Sequence, residues 1–159
     1  MLYADARSVR KEASKQRQAL QDFSFIRVSL VKGKGGWKIG SVTEVKNYYA
    51  HAADQTARGS VVKIVRLIRR FLAGEEMHES LFDECVTALE FFSSEHVDRK
   101  CYEHIFIQRV LAQLGYIKFS DVPKAFDAVP LDELAGEIVC DHDKAIALSI
   151  ERAQDASQL

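Results

Sequence analysis

The apolar residues of this chain change period between residues 46 and 55, from two to about 3.6, and no other feature limits the possible folds so strongly. Before the change, Phe23-Ser-Phe-Ile-Arg-Val-Ser-Leu-Val31 alternates: Ile26, Val28 and Leu30 share one side, Arg27 and Ser29 the other. Lys32-Gly-Lys-Gly-Gly36 is rich enough in glycine for a tight turn. Trp37, Ile39 and Ser41 then alternate with Lys38, Gly40 and Val42, so the stretch predicts a β-hairpin. Upstream, Tyr3-Ala-Asp-Ala-Arg7 reads as a further strand, and the polar Ser8 to Gln21 as a long loop or a short helix.

After the change the spacing is helical. Val61, Ile64, Val65, Ile68, Phe71 and Leu72 recur at three-to-four intervals, and Gly74 suits a C-terminal stop. A second helix carries Leu81, Phe82, Cys85, Val86, Leu89 and Phe92. A third runs from near Asp98 through Tyr102, Ile105, Phe106, Val110 and Leu111 to Gly115. Ser120 or Asp121 caps a short segment around 124–128, and Pro130 and Asp132 start another. The last helix begins near Asp141 or Asp143 and carries Ile146, Leu148 and Ile150. The expected class is α+β: a β domain over 1–46 followed by a helical domain over 47–159.

The net charge of -1 conceals a segregation. Residues 1–70 hold 15 Lys/Arg against 5 Asp/Glu, an excess of 10 positive charges, whereas residues 71–159 hold 7 against 18, an excess of 11 negative ones. A basic part of this density points to polyanion binding, because clustered cations attract phosphates and release counterions on contact. The alternative is mutual neutralisation of the two parts.

Three groups carry the basic signal. Arg7, Arg10, Lys11, Lys15 and Arg17 crowd into eleven residues, with Ser8 and Ser14 as small donors to phosphate oxygens. The hairpin tip brings Lys32, Lys34 and Lys38 beside Trp37, a cation for phosphate and an aromatic for a base. Against that, Trp37 as core and the lysines as solubilising turn residues explain the same pattern. Lys63, Arg66 and Arg70, with Arg69, form a possible second basic face on a helix, or simply its solvated side.

Other chemistries find no signature. Lys32-Gly-Lys-Gly-Gly36 lacks the order of a phosphate loop and leads into a strand. The histidines at 51, 78, 96, 104 and 142 show no metal-ligand spacing, and the aspartates of Asp141-His142-Asp143 read as helix N-caps. Glu75 and Glu76 read as solvated turn residues. Nothing points to an enzyme, a metal or a cofactor. Cys85, Cys101 and Cys140, odd in number and without a CxxC, read as buried thiols of a reducing compartment. No apolar run approaches the ~20 residues of a membrane helix, and the first residues lack the order of a signal peptide. The expected location is the cytoplasm.

The order of several pieces resembles the RecO family of bacterial DNA repair proteins. They are Ser8-Val-Arg-Lys-Glu-Ala-Ser-Lys-Gln-Arg17, Leu20-Gln-Asp-Phe-Ser24 and Val28-Ser-Leu-Val-Lys-Gly-Lys-Gly-Gly-Trp-Lys-Ile39. Glu79-Ser-Leu-Phe-Asp-Glu84 and Phe106-Ile-Gln-Arg-Val-Leu-Ala-Gln-Leu-Gly-Tyr-Ile117 follow in the helical part. The resemblance implies an OB-like domain, lacking the family's first strands before Tyr3, then a helical domain. It implies a recombination mediator that binds single- and double-stranded DNA without sequence specificity. Such a mediator anneals strands, and it works with RecR and the single-strand-binding protein to load recombinase. Carried over, the basic run falls on Arg10, Lys11, Ser14, Lys15 and Arg17, and the hairpin on Lys32, Lys34, Trp37 and Lys38. The cysteine pairs that bind zinc in many members are missing after the Leu-Gly-Tyr stretch, where Lys118-Phe-Ser-Asp-Val122 stands instead. A protein–protein adaptor with an acidic helical docking domain, or an RNA-binding OB module, are the alternatives.

Overall fold

A computed structural model describes residues 4–6, 15–71, 79–94, 98–118, 126 and 129–156. The chain divides into two compact units, Met1–Met77 and His78–Leu159. The helix that follows the hairpin therefore counts with the strands, and the first unit ends 31 residues beyond residue 46, where the apolar period begins to change.

In the first unit, β1 (Ala4–Asp5), α1 (Lys15–Ala19), β2 (Ser24–Gly33), β3 (Gly36–Asn47) and α2 (Gln55–Phe71) follow one another. The sheet order is β1-β3-β2, with β1 parallel to β3 and β2 antiparallel to it. It is an open sheet, not a closed barrel. The turn closes between Gly33 and Gly36, and Gly36 sits at φ 107°, a backbone that side chains resist.

Two irregularities reshape the alternation expected for β3. Val28 pairs with Val42, but Leu30 pairs with Ile39, so Gly40 and Ser41 together face Ser29. Ser41 consequently joins Ser29 on one face, where their hydroxyls lie 2.8 Å apart. Val42, not Ser41, completes the apolar face with Ile26, Val28, Leu30, Trp37 and Ile39. Glycine fits at 40 because an added Cβ would lie 2.9 Å from Ser29 Oγ. The second irregularity leaves Val45 as an extra residue between the pairs Phe25–Lys46 and Ile26–Glu44. No side chain of the apolar face is fully buried, and Val28 is 37% exposed.

The base of the hairpin is locked by Asn47. Its Nδ2 donates to Asp22 O and Ser24 Oγ, and its Oδ1 accepts from Ala50 N at 2.9 Å. Asp54 then caps α2, its Oδ1 accepting the Ala57 amide at 2.6 Å. The helix buries Ala57, Ser60, Val61 and Ile64. The glycine stop expected at Gly74 lies outside the described residues.

The second unit holds α3 (Glu79–Ser93), α4 (Arg99–Gln113), a 3-10 turn (Leu131–Glu133), α5 (Gly136–Asp141) and α6 (Asp143–Ala156). Helix α4 is its axis and packs against α3, α5 and α6. Leu81, Ala88 and Phe92 of α3, Ile105, Phe106, Val110 and Leu111 of α4, Val139 of α5 and Ile146 of α6 form the core. Helix α4 ends as its sequence predicts. Gly115 adopts φ 81°, and the amides of Gly115 and Tyr116 donate to Ala112 O and Leu111 O, at 2.9 and 2.8 Å. The short segment expected around 124–128 falls outside the described residues apart from Phe126, which is helical and buried.

The reading of all three cysteines as thiols is overturned. Cys101 on α4 and Cys140 on α5 form a disulfide with a Cα–Cα distance of 5.3 Å, and only Cys85 is free. The partners are 39 residues apart in sequence, so their pairing depends on how α5 folds back on α4, which spacing does not reveal. The bond removes the argument for a reducing compartment. Asp141 closes α5 rather than opening a helix, and Asp143, the first residue of α6, places its Oδ1 2.6 Å from His104 Nδ1.

Candidate nucleic-acid interface

The hairpin tip is built by strand register. Lys32 stands directly opposite Trp37, so both side chains project from the apolar face of the sheet. The Lys32 ammonium lies over the indole, 5.4 Å from the ring centroid. Trp37 is half-buried, neither a core residue nor a bare platform. Lys34 is exposed in the turn. Lys38 pairs with Val31 on the opposite face, and its Nζ reaches over Gly33, where an added Cβ would stand 3.2 Å from it. The four residues therefore wrap the tip, with Lys32 and Trp37 on one side, Lys38 on the other and Lys34 at the end.

Of the basic run, Arg17 is exposed on α1. Helix α1 rests on β3, with Gln16 Nε2 donating to Gly40 O at 2.9 Å. Gly40 is three residues from Trp37, about 10 Å at the rise of a strand. The side chain of Lys15 and the residues Arg7, Arg10, Lys11 and Ser14 lie outside the described residues.

Lys63, Arg66, Arg69 and Arg70 are all exposed on α2. Helical spacing places Lys63, Arg66 and Arg70 on one side of it. They are not gathered with the hairpin turn by any described contact. Helix α2 instead meets the base of the hairpin, where the Arg58 guanidinium lies 5.8 Å from the Tyr49 ring centroid.

That base holds a cluster absent from the predicted site. Phe23 and Tyr49 stack at 5.1 Å with 23° between planes, Phe23 at a φ of 65° and Tyr49 40% exposed. Lys46 Nζ lies 5.0 Å from the Tyr48 centroid. The available signal was two aromatic pairs, Phe23/Phe25 and Tyr48/Tyr49, flanking the two open ends of one hairpin. Tyr48 is buried, so only the Phe23–Tyr49 stack and the exposed Arg58 beside it present an aromatic and a cation of the kind that suits a single strand's bases and phosphates.

Elsewhere the groups are committed to structure. Burial, and then the charge of Glu84, push the Cys85 thiol up to about 12, so it is no nucleophile at neutral pH. Tyr102 is raised by burial and then by Asp98, and its hydroxyl donates to Leu134 O at 2.7 Å. Among the described residues no group of three or more His, Cys, Asp and Glu side chains is arranged to hold a metal ion. No helix among them is long and apolar enough to cross a membrane. No protein-family model, curated protein or solved structure matches this chain.

Proposed function

We propose that this chain is a sequence-independent DNA-binding protein acting as a recombination mediator, with no enzymatic step of its own. The Lys32–Trp37 pair carries the reading: a cation and an indole share one face at the end of an open hairpin, with Lys34 exposed beside them. The 10-charge excess of residues 1–70 supplies the attraction for phosphate. Lysines at a hairpin tip and an arginine on a short helix reach backbone rather than base edges, which gives weak sequence preference. Screening of phosphate repulsion by the same groups would let two complementary strands approach and anneal. The open sheet is then read as part of an OB-like domain. The RecO resemblance extends the proposal to a cytoplasmic protein working with RecR and the single-strand-binding protein.

The test is fluorescence anisotropy of a labelled oligo(dT) with the full chain and with a K32E/K34E double variant. Binding to single strands at low salt, with a tenfold or greater loss in the double variant, is the expected result. A charge reversal of Arg10, Lys11 and Lys15 to Glu should weaken binding further. Equal affinity of the variants and the parent chain would reject the site. A large preference for RNA of equal sequence and length would move the reading to an RNA-binding module.

A further inference from the structure

Two described contacts tie α4 to the helices that follow it. The Cys101–Cys140 disulfide joins α4 to α5, and three residues further along each side His104 meets Asp143 at the start of α6. On a helix, positions three apart share a face, so on α4 the two ties stand about one turn apart. All four residues are half-buried, so none is sealed in the core. Cys85 is buried and held protonated, which keeps it out of thiol exchange.

The two ties hold elements of very different strength. Helix α5 is six residues long, buries only Val139, and has no side-chain hydrogen bond at its N-cap, Ala135. A helix of that length is not stable by itself. Helix α6 runs for 14 residues and buries Ile146, Ile150 and Ala153. Loss of the sulfur tie therefore bears on α5, while the His104–Asp143 pair and the α6 core remain.

We propose that Cys101–Cys140 is a reversible redox clamp, opened by a dithiol reductant, that controls whether α5 is docked on α4. A thiolate of the reductant attacks one of the two sulfurs, and the S–S bond breaks as a mixed disulfide forms. The second thiol of the reductant displaces it, so the reductant leaves as its own disulfide. The two electrons and two protons it gives up end on the Cys101 and Cys140 thiols.

Hydrogen exchange of the full chain read by mass spectrometry tests the clamp, before and after dithiothreitol and again after reoxidation with glutathione disulfide. Thiols counted under denaturing conditions should go from one to three and back. Amides of 137–141 should exchange at least about tenfold faster in the reduced state and recover on reoxidation, with α4 and α6 unchanged. A Cys101→Ser variant should match the reduced state without any reductant. Three thiols after glutathione disulfide, equal exchange of 137–141 in both states, or loss of protection spreading through α4 and α6 would each overturn the proposal.

Discussion

Replacing Arg109 with methionine should remove a buried polar fastening of the second unit that three described hydrogen bonds make. The guanidinium is 4% exposed. Its Nε donates to Phe126 O at 2.6 Å, Nη2 to Val129 O, and Nη1 to Glu84 Oε1 at 3.1 Å. One side chain of α4 thus holds both α3 and the backbone at Phe126 and Val129. Hydrogen bonds from a charged donor contribute roughly 1.5–3 kcal/mol each. Glu84 is 21% exposed, so water compensates part of its loss and its share is discounted. The two carbonyl bonds dominate, and methionine keeps most of the buried volume, which puts the cost at about 3–4 kcal/mol. Against a domain stability of roughly 5–15 kcal/mol this is a large fraction. Urea unfolding followed by circular dichroism measures it, with the emission of Trp37 reporting the first unit separately. The helical signal should be lost at markedly lower urea in the variant than in the parent chain. Glu84→Gln should cost less than about 1 kcal/mol. A loss below 1 kcal/mol in R109M, or an equal loss in E84Q, would refute the assignment of the fastening to the carbonyl bonds.

Cys85 should resist iodoacetamide in the native protein at pH 8, where a thiol near 12 is ionised to about one part in ten thousand, and should react on unfolding. The same shift raises the folded value above the ordinary 9, so the unfolded chain ionises first. Stability is therefore full below pH 9 and falls as pH rises toward about 12, a slope that Cys85→Ala should reduce in urea titrations above pH 9. Gly115→Ala should lower the melting temperature through a backbone cost of about 1 kcal/mol, since φ is 81° and open space surrounds the added methyl. An unchanged melting temperature would contradict a left-handed C-terminal cap on α4.

Local periodicity made the elements legible. The alternation of Ile26, Val28 and Leu30 marked β2, and the glycines at 33, 35 and 36 marked the turn. The three-to-four spacing through Ile105, Phe106 and Val110, with Gly115 beyond, marked α4. What failed depended on residues distant in sequence. The extra residue at Gly40–Ser41 exchanges Ser41 for Val42 on the apolar face, and a strand read alone does not disclose its partner's count. Helix α5, six residues with one buried side chain, is too short to print a period. The Cys101–Cys140 bond required α5 to be placed first. At the candidate interface the cations of the hairpin were visible as composition. The pairing of Lys32 with Trp37, and the Phe23–Tyr49–Arg58 cluster, emerged only from register and from the start of α2.

Trp37 is the only tryptophan in the chain, and it stands inside the proposed interface. Its emission during titration with unlabelled oligo(dT), at several salt concentrations, therefore reads the contact itself. Quenching should saturate with the binding curve. Log affinity should fall linearly with log salt, and K32E/K34E should flatten that slope by about 1.4, or 0.7 for each lost phosphate contact. Emission that stays constant while DNA binds elsewhere on the chain, or no binding at low salt, would contradict a nucleic-acid interface at the hairpin.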